Sequence, residues 1–195
     1  MQWADLTLIL VALLTLIVLF TFVGSLLVLV PYVPTPKAVA AKMVELAGLH
    51  GDETIYDLGC GDGRILIEAK RKLPGIRAIG YELPIGIYLL GRLRVALAGF
   101  AKKSQPGGRI ELHMRDFFGA DLRDADVLFL YLIPEVFARL EQKLQQELRP
   151  GTKIISHGFS FPGKEPEKVE RCPLPSWRLF SPYGKEGPRI FVYRW

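Results

Sequence analysis

The chain has 195 residues, half of them hydrophobic, and a net charge of +5, which is enough for one domain with a real core. Its basic residues are scattered and not striped with aromatics, so the charge gives nucleic-acid binding little support. Its two cysteines, Cys60 and Cys172, form no C-x-x-C pair and stand by no histidine at ligand spacing; this argues against a structural metal site and for free thiols in a reducing compartment.

Residues 6–30 contain no charged side chain. As a helix the stretch would reach about 37 Å, ample for a hydrocarbon slab of about 30 Å. It is too long for a signal peptide, and its start carries no basic residue. It reads as a transmembrane anchor, expected over 1–30. Every lysine and arginine follows it. The positive-inside rule then places the N-terminus outside and the rest on the cytoplasmic side. The basic excess suits an anionic leaflet nearby, and ordinary solubility charge explains it as well. Pro31, Pro34 and Pro36 forbid a continued helix and predict a stiff linker over 31–36. The catalytic or binding domain is expected over 37–195.

The composition predicts a helix over 37–49 and a turn at Gly51 and Asp52. Strand and helix then alternate: strand 54–58, helix 63–73, strand 76–81, helix 85–101, strand 109–114, apolar strand 125–132, helix 134–148, strand 152–157. Pro134 opens the last helix and Pro150-Gly151 stops it. Two closing strands are expected at 177–181 and 189–195. The pattern predicts an α/β, Rossmann-like, mostly parallel seven-stranded sheet with helices on both faces. Its crossovers are right-handed and its ligand sits at the C-terminal strand ends. The closing pair has no helix between its strands, which predicts an antiparallel edge.

The chemistry concentrates in Asp57-Leu58-Gly59-Cys60-Gly61-Asp62-Gly63-Arg64. Alternating glycines bend the backbone tightly and let a ligand touch main chain. The spacing is G-x-G-x-G, not the G-x-G-x-x-G shaped for a pyrophosphate. It suits a nucleoside-like ligand with a smaller, zwitterionic tail. Acids fall at or just after successive strands: Asp57, Glu82 and Asp116. A carboxylate in the place of Glu82 can accept both hydroxyls of a ribose. Asp116 can accept an adenine amino group, with Phe117 or Phe118 packing on the ring. The helix that starts near Gly63 favours a small carboxylate at its N-terminus. Asp57 or Asp62 meets an ammonium or orders the loop. Singly, Glu82 or Asp116 would read as a solvated loop acid; their order after successive strands changes that.

This set resembles the class I, seven-strand S-adenosylmethionine-dependent methyltransferases over about 37–195. A closer resemblance is to the small membrane-anchored protein-lysine methyltransferases. It rests on the apolar helix, Pro31-Tyr32-Val33-Pro34-Thr35-Pro36, the glycine loop, Gly80-Tyr81-Glu82-Leu83, the 134–144 helix and Phe159-Ser160-Phe161-Pro162. Mitochondrial members of that family modify the adenine nucleotide translocase and the ATP synthase c-subunit. The resemblance implies S-adenosyl-L-methionine as cofactor, bound by Gly59, Gly61, Gly63 and Glu82, with Asp116 on the adenine. It implies in-line attack on the methyl by an unprotonated lysine amine. Cys60 stands where mitochondrial members typically carry serine, and the chain lacks an Arg/Ser-rich presequence. Both point to a prokaryotic plasma membrane, with the mitochondrial inner membrane as alternative.

The acceptor side is less legible. Tyr131 follows the fourth strand and either orients the acceptor amine or belongs to the core. His157 ends the fifth strand and is either a proton acceptor or a polar strand end. Tyr32 and Thr35 either fold over the cofactor's methionine end or only leave the membrane. Three functions stand open: methylation of a lysine on a membrane protein, methylation of a membrane-soluble small molecule such as a quinone or lipid, and cofactor sensing without catalysis. The oligomeric state is open too.

Overall fold

A computed structural model describes residues 3–27, 33–102, 108–173 and 187–195. Helix α1 (Trp3–Leu27) comes first. It is the one described helix long and apolar enough to cross a membrane: the stretch Asp5–Val23 has mean hydropathy 3.0 and none of it is buried. After the linker come α2 (Lys37–Ala47), β1 (Thr54–Leu58), α3 (Arg64–Lys72), β2 (Arg77–Glu82), α4 (Ile85–Leu97) and β3 (Ile110–Met114). A single 3-10 turn (Phe117–Gly119) leads to β4 (Val127–Leu130), α5 (Pro134–Glu147), β5 (Lys153–His157), β6 (Lys168–Arg171) and β7 (Arg189–Arg194).

The seven strands form one sheet in the order β3-β2-β1-β4-β5-β7-β6. The first five in that row are parallel; β7 runs antiparallel to β5 and to β6. Alternate strand residues serve opposite faces. Ile55, Ala78, Phe129 and Ile155 pack with α2 and α3 through Met43, Val44 and Leu66. Tyr56, Leu58, Leu128 and Leu130 pack with α5 through Phe137, Leu140 and Leu144. The mostly parallel sheet with covered faces is the one expected from the strand–helix alternation.

Three expectations change. Helix α4 ends at Leu97, short of 101, because Gly99 takes φ 87° and Phe100 N–H bonds back to Val95 O at 3.0 Å. The positive φ closes a Schellman-type end. The fourth strand ends at Leu130, so Tyr131 and Leu132 leave the ladder. The strand beside β7 is β6, Lys168–Arg171, an exposed polar edge with no apolar alternation to announce it. The expected strand at 177–181 lies outside the described residues.

Candidate active site

β1, β2, β3 and β4 stop side by side at Leu58, Glu82, Met114 and Leu130. From β1 the chain winds toward β2 and β3; from β4 it winds the other way, to β5. Ligands of open α/β sheets bind where that direction reverses. A cavity of about 290 Å³ lies there, lined by Asp57, Gly59, Gly61, Glu82, Asp116, Phe117 and Tyr131 among others.

The glycine loop forms its floor. Gly59, Gly61 and Gly63 have φ of 77°, 56° and 73°, a region side chains disfavour. The loop is stitched to the end of β2: Gly59 and Cys60 N–H both donate to Tyr81 O at 2.9 Å. Gly61 N–H donates to Glu82 Oε2 at 2.7 Å, and Leu83 N–H donates to Glu82 Oε1 at 3.0 Å. Gly63 does not line the cavity. It caps the start of α3 instead.

The acids behave differently. Asp57 is 2% exposed, and its Oδ2 has no hydrogen-bond partner among the described residues. Burial, and then the charge of Glu82, push its carboxyl up to about 8. Burial raises Glu82 as well, against the two amide bonds that lower it. Two neighbouring carboxyl groups in a poorly solvated place favour a cation or a hydrogen-bond donor. Asp62 is already committed: it is bonded to Arg64 at 2.8 Å and to Arg94. Of the two acids considered for an ammonium, Asp57 is the open one. Asp116 Oδ1 accepts Phe118 N–H at 2.9 Å and starts the 3-10 turn that brings Phe117 to the cavity. Phe118 is not on the wall; its ring lies 4.7 Å from that of Phe117 and under the Arg139 guanidinium at 3.9 Å.

Tyr131 lies on the wall with its ring centroid 4.0 Å from that of His157. His157 is fully buried and does not line the cavity. Burial lowers its pKa to about 4, so the imidazole is neutral near pH 7. The proton acceptor expected at the end of the fifth strand therefore stands behind Tyr131, not at the surface of the cavity.

Several wall residues carried no expected site role. Val33 and Pro34 line the cavity together with Thr35. Arg64 donates to Thr35 O and so fastens the linker to the loop. Ile133, Val136 and Phe159 make an apolar side. Phe159 is fixed by Ser156 Oγ donating to its carbonyl at 2.6 Å. Its signal was position: it follows the end of β5, the strand next to β4. Tyr32 lies outside the described residues.

The ANTKMT methyltransferase domain matches this chain over residues 57–168. The chain belongs to that family. A protein-lysine N-methyltransferase of Saccharolobus islandicus (strain REY15A) is 40% identical over 140 residues, 72% of this chain and 83% of that protein. The adenine nucleotide translocase lysine N-methyltransferase of Mus musculus is 33% identical over 168 residues. That alignment takes in 84% of this chain and 62% of the mouse protein, so this chain spans less than two thirds of the mouse protein's length. Among solved structures, an RNA methyltransferase from Salinibacter ruber in complex with S-adenosyl-L-homocysteine is similar at a TM-score of 0.69 and 33% identity. The similarity covers 83% of this chain and 93% of that one. This ANTKMT-family chain is a class I methyltransferase, and its cofactor is S-adenosyl-L-methionine.

The residues present fit that cofactor. The unpartnered, buried Oδ2 of Asp57 calls for a donor, and the methionine end carries an ammonium. The glycine floor leaves main chain open to a ligand, and an aromatic ring and a further acid stand beside it.

Proposed function

We propose that the chain is a membrane-anchored protein-lysine N-methyltransferase acting at the bilayer surface. Residues 1–30 anchor it, 31–36 link, and 37–195 form the catalytic domain on the cytoplasmic side, in a prokaryotic plasma membrane. One observation carries this reading: Val33, Pro34 and Thr35, the first described residues after the apolar helix, line the same cavity as Asp57 and Glu82. The reaction site thus opens close to where the chain leaves the span. Two relatives named as lysine methyltransferases support the acceptor.

In this reading Asp57 takes the cofactor's ammonium, Glu82 the ribose hydroxyls and Asp116 the adenine amino group. Phe117 packs on the adenine, and Gly59 and Gly61 leave room for close approach while Gly63 sets the start of α3. When bound, the cofactor would supply an electrophilic sulfonium methyl for an unprotonated amine, which would give up one proton on being methylated. The apolar side formed by Val33, Ile133, Val136 and Phe159 disfavours a charged amine, which lowers its pKa. Tyr131 orients the nitrogen through its hydroxyl. His157 is a positioning residue, holding the Tyr131 ring from behind. Alignment and exclusion of water supply most of what this transfer needs.

The test is incubation of the full chain with methyl-labelled cofactor and membranes lacking the enzyme. Label in a protein band, mapped to lysine by mass spectrometry, is the expected result. Label confined to the lipid extract assigns a small-molecule acceptor instead. Label confined to RNA assigns the acceptor named for the Salinibacter relative. Cofactor binding with no label in any fraction leaves a sensor.

A further inference from the structure

Helix α4 turns most of its apolar side chains outward. Only Gly91 and Val95 are buried. Ile85, Leu89, Leu93 and Leu97 follow one another at four-residue spacing with exposures of 45, 56, 57 and 80%. Residues so spaced share one side of a helix. Leu83 and Leu90 widen the strip. Contiguous apolar patches of this kind mark an interaction surface. The helix carries Arg92 and Arg94 and no carboxylate. Arg94 is paired with Asp62. Arg92 is exposed, with its guanidinium 6.0 Å from the centre of the Tyr88 ring. Lys102 is exposed just beyond the helix.

Two close approaches indicate what covers the ridge. Gly86, in the first turn of α4, lies against α1: a Cβ there would collide with the Thr21 methyl. Thr21 is sixteen residues beyond Asp5, the charge that precedes the apolar run, about 24 Å along a helix axis in a hydrocarbon slab of about 30 Å. With α1 across a bilayer and Asp5 at its outer surface, the start of α4 is therefore in the acyl region, near the inner edge of the hydrocarbon. On its inner side α4 touches the glycine loop, where a Cβ at Gly91 would stand 2.9 Å from Gly61 O. One helix thus joins the apolar helix α1 to the floor of the cavity.

We infer that α4 lies in the lipid surface as an interfacial helix, with Ile85, Leu89, Leu93 and Leu97 in the acyl boundary. Arg92 and Lys102 meet the phosphates of anionic lipids, as cations flanking an apolar face do. The cavity mouth is held at that surface. The inference rests on α1 spanning the bilayer, the anchored reading given above. A lipid surface is the occupant because the ridge begins beside α1, near the inner edge of the hydrocarbon.

The full chain in vesicles of phosphatidylcholine and phosphatidylglycerol tests this. Nitroxide labels go on single introduced cysteines: Leu93→Cys and Leu97→Cys on the ridge, Leu14→Cys in α1, Arg71→Cys and Arg123→Cys on exposed surface elsewhere. Cys60 and Cys172 are buried, so labelling is selective. Depth is read from collisions with dissolved oxygen against a water-soluble nickel chelate. Labels at 93 and 97 are expected about 5–10 Å below the headgroup surface, with 14 deep and 71 and 123 in water. If 14 is deep but 93 and 97 are aqueous, the interfacial helix is wrong and the anchor stands. If 14 is aqueous, both readings are wrong. Dipolar coupling between labels at 93 assigns the ridge to a second copy and overturns the inference. So does protection that appears only when an acceptor membrane protein is added.

Discussion

Gly61 donates its amide hydrogen to Glu82 Oε2 at 2.7 Å, tying the middle glycine of the loop to the last residue of β2. One carboxylate therefore faces the cavity and also holds the loop that floors it. Glu82→Ala removes both functions. Hydrogen bonds to charged groups contribute about 1.5–3 kcal/mol, so cofactor affinity should weaken roughly 10- to 100-fold. Glu82→Gln keeps an acceptor for Gly61 and should lose less. Calorimetric titration of the cofactor reads both variants; unchanged affinity in Glu82→Ala would remove Glu82 from the ribose.

Asp57 predicts a pH dependence. Its carboxyl is held at about 8 in the fold, against an ordinary value of 3.8. Between those values the folded chain keeps a proton that the unfolded chain has released. Stability without cofactor should therefore decline as pH rises through that window and level off above it. Asp57→Asn should flatten the decline, leaving only the smaller contribution of Glu82, which is raised in the same direction. Thermal melts across the window decide: parallel curves for the two proteins would mean that Asp57 is not buried as a neutral acid.

Arg64 joins three segments. It pairs with Asp62 at 2.5 Å and donates to Thr35 O, while Asp62 also meets Arg94 of α4. Arg64→Ala frees the linker wall and leaves Asp62 with Arg94. Limited proteolysis should cut faster within 31–36, and cofactor affinity should fall about tenfold. A linker as protected as in the wild type would show that the Thr35 bond does not hold it.

Tyr131→Phe keeps the ring on His157 and deletes the hydroxyl. If that hydroxyl orients the amine, kcat should fall about 10- to 100-fold with cofactor affinity intact. An unchanged kcat would return Tyr131 to the core. His157 separates on the pH axis. Its folded pKa of about 4 lies below the ordinary 6.5, so its stabilising contribution is whole above 6.5 and is lost as pH falls toward 4. His157→Phe should lose less melting temperature than wild type between those two values.

Much of this was legible because it follows from local pattern. The alternating glycines permit the positive φ that a tight bend uses, and all three adopt it. The apolar runs at 54–58 and 125–132 read as covered strands, and α5 showed its Pro start. The acids at or just after the ends of β1, β2 and β3 could be placed by counting, since parallel strands joined by helices bring their C-terminal ends together. The edge strand β6 could not, because Lys-Val-Glu-Arg buries nothing and owes its strand to β7.

What the sequence determined by itself is the order of strands and helices as far as β5, the bend of the glycine loop, the family of ligand and an apolar helix long enough to span a bilayer. Only the tertiary structure decided that Asp62 is neutralised by Arg64 and Arg94 while Asp57 stays open. It also made Val33 to Thr35 a cavity wall, put His157 behind Tyr131 and turned the α4 leucines outward. The physical reason is range. Backbone conformation and periodicity are set by neighbours within a turn or two, whereas burial and ion pairing depend on which distant segments the fold brings into contact.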